Sequence, residues 1–257
     1  MTRPRSAHLA ATIALMLTTA CSGSSAGRAD ARADRPLLVD TPCADLVVLG
    51  LRGSLQSATG NRGAGREVLA SVEAMSAQLR RDSGTTVRLE GIPYRAESAA
   101  ISADYQASVD DGRRKAGARL SEMAGSCPRA RFGIVGFSQG AQAAHELAVQ
   151  LPAGLSGRVV LVAMIADPRR NPADTIASWT YGTASPGPGT LGPGPALGPS
   201  LRNSAITFCA EGDEICDRLP GGYVGPLSAT HRHFYETPAH AQSTGRHMAK
   251  VVRRGGL

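Results

Sequence analysis

Arg131-Phe132-Gly133-Ile134-Val135-Gly136-Phe137-Ser138-Gln139-Gly140-Ala141 runs from an apolar stretch through a glycine-flanked serine into the start of a helix, and this succession decides the fold class. Residues 131–136 have the length and apolar character of a strand. Residues 141–151 read as a helix with an alanine-rich face. Between them Gly136-Phe137-Ser138-Gln139-Gly140 matches G-x-S-x-G. A serine on a sharp strand-to-helix turn is a nucleophile elbow, and such a turn needs the small flanking residues that Gly136 and Gly140 supply. The helix N-terminus puts partial positive charge where an oxyanion would develop. Context carries this reading, because Gly23-Ser24-Ser25-Ala26-Gly27 matches the same pattern with no strand before it. The competing reading of Ser138 is a plain helix N-cap.

Working outward, residues 44–51 form another apolar strand, ending at Arg52-Gly53-Ser54. Val68, Leu69, Val72, Met75 and Leu79 give residues 65–81 helical spacing. Residues 85–89 are a strand and 101–124 a helix. Residues 158–166 are apolar throughout, as a strand buried on both faces should be. A fifth strand spans 203–208, and a closing helix spans 240–252. Strands alternating with helices predict a three-layer α/β/α domain around a parallel five-stranded sheet. Residues 185–200 are rich in Pro and Gly and read as one long surface loop between the fourth and fifth strands. Trp179 and Tyr181 lie near it, with an acyl groove and the core both open to them.

The chain has 257 residues, 42% hydrophobic and 19% charged, enough for a real core. No apolar run reaches the roughly 18 residues that span a membrane. Lys plus Arg exceeds Asp plus Glu by 28 − 21 = 7, nearly all as Arg in ones and twos, and aromatics are 4%. Without a basic stripe or stacking aromatics, nucleic acid is not an expected partner. Residues 1–20 have a charged start, a short apolar centre at 9–17 and small residues before Cys21, the pattern of an export signal. Residues 21–41 read as a flexible tether and 42–257 as the folded domain. Thr18-Thr19-Ala20-Cys21 resembles a bacterial lipoprotein box, so Cys21 is a candidate for lipidation and a membrane tether. Plain secretion with a spare cysteine is the alternative.

Export places the five cysteines in an oxidising compartment. Four can pair once Cys21 is set aside. Cys209 and Cys216 are near enough to staple one loop, which leaves Cys43 with Cys127. No CxxC spacing supports a metal site, and no cofactor is expected.

A serine nucleophile needs a base and an orienting acid. His231 and His233 fall after the last strand and before the last helix, where the chain order Ser…Asp…His puts the base. His231 is preferred, because it leaves His233-Phe234-Tyr235 free to pack the loop, and His233 is the runner-up. His145 is expected on the surface, and His240 and His247 toward solvent. Asp213 is preferred as the acid, since Cys209 and Cys216 would pin its loop. Asp167, followed by Pro168, is the rival and reads otherwise as a turn or cap residue.

These residues together resemble the cutinase family. Four segments carry the likeness: Gly136-Phe137-Ser138-Gln139-Gly140, the loop from Cys209 through Asp213 and Ile215 to Cys216, Leu51-Arg52-Gly53-Ser54, and Cys127-Pro128 with Cys43. It runs from about Cys43 to the C-terminus. The base region departs from the family's usual His-x-x-Tyr: His231 is followed by Phe234 and His233 by Tyr235. The resemblance implies a minimal α/β-hydrolase with no large lid. It implies hydrolysis of carboxylic esters by Ser138, Asp213 and a loop histidine, with Ser54 and the Gln139 backbone amide as oxyanion hole. An ester or lipid is then the substrate, a phospholipase or thioesterase acting on envelope lipids is the alternative activity, and a lipid-binding surface lipoprotein is the non-enzymatic one. A monomer is expected.

Overall fold

The computed structural model describes residues 36–97, 102–183, 186–217 and 226–257. The expected export signal and Cys21 lie outside them. The strands are β1 Leu46–Leu51, β2 Val87–Gly91, β3 Arg131–Phe137, β4 Val159–Ile165, β5 Ala177–Tyr181 and β6 Ala205–Ala210. The helices are α1 Arg66–Ser83, α2 Ala103–Ser126, α3 Gln139–Val149, the short α4 Ala153–Ser156, α5 Ala229–His233 and α6 Pro238–Arg254.

All strand pairs are parallel, in the order β2-β1-β3-β4-β6-β5. The sheet therefore has six strands where the sequence pattern predicted five. The missed strand, β5, lies at the edge and is partly exposed. An edge strand lacks the continuous apolar run of a central one, and its Trp179 and Tyr181 were the signal available.

Alternation along the central strands sorts the core into two layers. Leu46 and Val48 pack with Val68, Val72 and Met75 of α1 and Met248 and Val252 of α6. Val47 and Leu49 pack with Val109 and Leu120 of α2 and Ala144 and Leu147 of α3. The helices therefore cover both faces, as a parallel sheet requires. Packing begins ahead of Pro42: Leu38 is buried and the Val39 amide donates to the Val87 carbonyl at 2.9 Å. The Pro/Gly-rich segment is strapped down rather than free. Arg169 Nη1 donates to the Leu191 carbonyl at 2.7 Å, and Asn171 Nδ2 to the Gly194 carbonyl at 2.8 Å. It joins β5 to β6.

Two disulfides are formed, Cys43–Cys127 and Cys209–Cys216. The first closes a loop of 84 residues between the start of β1 and the end of α2. Replacing both Cys43 and Cys127 by Ala should lower unfolding free energy by roughly 4–5 kcal/mol on the chain-entropy account. A urea titration of the double variant against the oxidised parent reads this directly.

Candidate active site

The parallel sheet ends three strands at one edge, and the candidate residues follow those ends. Ser138 stands directly after β3, Asp213 after β6, and Ser54 after β1. The register Leu51↔Gly136 sets the Ser54 turn beside the elbow.

Ser138 has φ +53°, a conformation that side chains avoid. Its neighbours hold it there. The Ser138 amide donates to the Ile165 carbonyl at 2.9 Å, and its carbonyl accepts from the Ala141 and Gln142 amides. A Cβ on Gly136 would lie 2.1 Å from the Gly140 carbonyl oxygen, and one on Gly140 would lie 2.1 Å from that of Leu51. Strand, turn and helix thus meet backbone to backbone. The first amides of α3 have no partner within the helix, so the Gln139 N–H lies where a helix offers positive potential. The Gln139 side chain is fully buried and engaged elsewhere. It accepts from Ser108 Oγ at 3.1 Å and donates to the Glu97 carbonyl at 2.9 Å.

His231 Nε2 lies 3.0 Å from Ser138 Oγ, and Nδ1 lies 2.9 Å from Asp213 Oδ1. The carboxylate can only accept when ionised, so Nδ1 carries the proton and Nε2 accepts from the serine hydroxyl. His231 sits in α5 rather than in a loop. Ser228 Oγ accepts from the His231 amide at 3.0 Å, and the ring stacks on Phe137 at 5.0 Å. His233 is exposed and faces Glu236 at 3.3 Å. The two histidines share a helix of one and a half turns, and only His231 points at the serine.

Asp213 is fully buried, and both its oxygens are engaged. Oδ1 accepts from the Ile215 amide at 3.0 Å as well as from His231, and Oδ2 accepts from Tyr235 Oη at 2.7 Å. Tyr235 Oη in turn accepts from the Ala210 amide at 2.9 Å. Burial and the Asp213 charge push the Tyr235 phenol well above its ordinary value, so it stays a donor. The adjoining Glu214 accepts from the Ser228 amide at 2.7 Å, tying the acid loop to the cap of α5.

Residues 52–56 are held from below. Buried Arg52 donates to the Gln56 carbonyl at 2.9 Å, to that of Ile92 at 3.2 Å and to that of Tyr94. Gln56 Oε1 accepts from the Gly53 amide at 2.9 Å, and Gln56 Nε2 donates to buried Glu67 at 2.5 Å. Burial raises the Glu67 carboxyl, while Gln56 and Arg66 hydrogen bonds pull it back. Arg66 also donates to the Arg232 carbonyl at 3.0 Å. Glu67 therefore joins the Ser54 turn to the histidine segment. From sequence Tyr235 reads as packing the loop and not as a partner of Asp213, while Glu214, Gln56 and Glu67 are not singled out, because polar residues on these segments read as solvated until the packing buries them.

The rival acid has another partner. Asp167 Oδ2 lies 2.6 Å from His145 Nδ1, and Oδ1 accepts from the Arg169 amide at 2.9 Å. His145 is not a surface residue as expected: it is 2% exposed, and its Nε2 lies 2.8 Å from the Pro195 carbonyl. The strap over α3 buries it. Burial pulls the imidazole down, but the Asp167 charge and hydrogen bond outweigh this and push it up to about 9. Protonated, it donates to both neighbours. His240 and His247 are half-buried rather than turned to solvent, stacking on Phe234 at 3.6 Å and on Trp179 at 3.7 Å. Tyr181 donates or accepts at Thr244 Oγ1 (2.6 Å) and so packs against α6, while Trp179 is exposed. Among the described residues no group of three His, Cys, Asp or Glu side chains is arranged to hold a metal ion.

A family model described as Cutinase matches residues 42–242. Carboxylesterase Culp1 of Mycobacterium tuberculosis is 28% identical over 213 residues, covering 83% of this chain and 84% of the relative. Cutinase CUT1 of Coprinopsis cinerea is 32% identical over 179 residues, covering 69% and 73%. Among solved structures, the catalytic core domain of acetyl xylan esterase from Trichoderma reesei superposes with a TM-score of 0.58 at 20% identity, covering 82% of this chain and 98% of that one. That last likeness is one of fold.

Two outcomes follow from the geometry. Tyr235→Phe leaves the Ala210 amide and Asp213 Oδ2 without their shared partner. It should cost about 1–3 kcal/mol in a denaturant titration. For His145 the folded value, about 9, lies above the ordinary imidazole value of 6.5. Its contribution is fully present below pH ~6.5 and is lost as pH rises through ~9. The gap in unfolding free energy between parent and His145→Gln should therefore be widest at pH 6 and narrow toward pH 9.

Proposed function

The chain belongs to the cutinase family and is a carboxylic ester hydrolase, and from that premise we propose that Ser138 is its nucleophile, His231 its general base and Asp213 the acid that orients the imidazole. One observation carries this reading: the unbroken chain of hydrogen bonds from Asp213 through His231 to Ser138, 2.9 and 3.0 Å long. His231 takes the hydroxyl proton as Ser138 Oγ attacks the ester carbonyl. The imidazolium forms beside a carboxylate that is already desolvated and aligned, so little reorganisation accompanies charge development. Ser54, through its hydroxyl and amide, and the Gln139 amide hold the oxyanion. His231 then returns the proton to the departing alcohol, leaving an acyl-enzyme on Ser138. In the second half His231 activates water, which releases the acid and restores the serine.

Leu55 favours esters with an apolar acyl part. It follows Ser54 directly, is 76% exposed and has φ +62°, so an apolar side chain is held out beside the oxyanion segment at a cost in backbone strain. The same feature supports the second reading, hydrolysis of envelope phospholipids or thioesters. The protein acts outside the cytoplasm, where both disulfides persist. Residues 1–20 direct it there, and lipidation at Cys21 would tether it to a membrane.

A fluorophosphonate probe should label the parent at Ser138, located by peptide mapping, and should not label Ser138→Ala, which should turn over no ester. Labelling of that variant, or unchanged turnover, contradicts the assignment. Ser54→Ala should keep the fold and lower kcat by about 10²–10³, the scale of one oxyanion donor. Comparing rates on short-chain esters, polyesters and phospholipids separates the two substrate readings.

A further inference from the structure

Helix α6 carries no Asp or Glu anywhere in Pro238–Arg254. Arg246, Lys250 and Arg254 recur every four residues, so they form one stripe about 12 Å long. All three are exposed, while Met248, Ala249, Val251 and Val252 face the core. None of the three has an ion-pair partner among the described residues. Like charges at this spacing repel. The helix dipole offsets this only in the last turn, and Arg246 lies two turns before it. Helix α2 neutralises its cations instead. On α2, Arg113 pairs with Asp110, Arg114 and Lys115 with Asp111, and Arg119 with Glu122.

The surroundings of the stripe reinforce it. Arg246 lines a groove of about 390 Å³ with Arg81 of α1, Glu73 and Leu37. Glu73 lines the same groove, and Asp82 of α1 is taken by Arg253 at 2.6 Å. Burial first, then Lys250, Arg246 and Arg254, holds the neighbouring His247 imidazole below its ordinary value. Trp179, the single tryptophan of the chain, is 36% exposed and stacks on His247. Leu37, also 36% exposed, lies where the preceding 35 residues join the described domain.

The stripe runs away from the Ser138 end of the sheet: its Arg254 end is the far one, while Trp179 at its margin pairs in register with Phe208, two strands from β3. A Cβ on Gly255, just past α6, would lie 2.9 Å from Val160 at the start of β4, whereas Ser138 and Asp213 follow the far ends of β3 and β6. A strand of seven residues separates the two ends by about 20 Å.

We propose that the Arg246–Lys250–Arg254 stripe, with Trp179 and Leu37 at its margin, seats the protein on an anionic lipid surface beside the entry of the N-terminal segment and leaves the Ser138 edge uncovered. Exposed Trp and Leu beside cations suit the boundary between headgroups and acyl chains. A soluble polyanion would use the cations alone. This seating goes beyond the catalytic reading and does not depend on it.

The test uses the full chain, sedimented with vesicles of phosphatidylcholine alone or of equal parts phosphatidylcholine and phosphatidylglycerol. The parent should partition onto the anionic vesicles, less so as salt shortens the Debye length, and Trp179 emission should shift to the blue. Each cation contributes about fivefold, so Arg246→Gln/Lys250→Gln/Arg254→Gln should partition about a hundredfold less. Turnover of a soluble ester should be the same for the variant, which verifies its fold, and for the vesicle-bound parent. Equal partition of the variant, or equal binding to neutral vesicles, overturns the proposal. So does variant-sensitive binding to polyphosphate with no partition onto vesicles, which assigns the stripe to a polymer. Turnover lost on binding overturns the orientation.

Discussion

Everything at the candidate site depends on how closely three backbone segments approach at the end of β3. The turn at Ser138 works because Gly136 meets Gly140 and Gly140 meets the Leu51 carbonyl with no side chain between. That contact lets the chain turn from strand to helix within one residue. It also forces Ser138 into a left-handed backbone and sets the first amides of α3 beside its hydroxyl. The strain is sustained by parallel pairing on both sides of β3, since β1 and β4 fix the frame that the turn leaves. The domain thus spends conformational freedom at one residue to expose a half-buried hydroxyl on a rigid edge.

Around that turn lies a desolvated polar network. Asp213 accepts from His231, Ile215 and Tyr235, so an isolated charge in the core becomes a saturated one. Arg52 and Glu67 do the same for residues 52–56, and Arg66 links Glu67 to the segment that carries His231. Ser138, His231, Asp213 and the Ser54 turn come from four separate elements, and these buried polar groups keep the elements in register. The short Cys209–Cys216 loop adds a covalent limit to the movement of Asp213.

The opposite end of the domain is built differently. There the Cys43–Cys127 bridge ties β1 to the end of α2, and the last turn of α6 carries Arg253, paired with Asp82, and Arg254. The Ser138–His231–Asp213 contact and the Cys43–Cys127 bridge thus lie at opposite ends of the parallel strands, a polarity that antiparallel strands would not impose.

Much was legible in the amino-acid sequence because it rests on local rules. Apolar runs alternating with helical spacing required a parallel α/β/α domain. Gly136-Phe137-Ser138-Gln139-Gly140 between strand and helix marked the elbow, and two cysteines bracketing Asp213 marked a pinned loop. The rest depended on contacts between residues far apart in the chain. Trp179 and Tyr181 carried strand propensity, but only pairing with β6 made 177–181 a strand. His145 read as a surface residue, since nothing local shows that a strap 50 residues later covers it and that Asp167 meets it. The choice of His231 over His233 rested on a packing argument, and the facing of α5 toward Ser138 and Asp213 decided the contact. Local patterning was enough for the four central strands, the long helices and the residue types able to do the chemistry. Tertiary structure decided which of them meet, because burial and partner geometry are properties of the assembled edge.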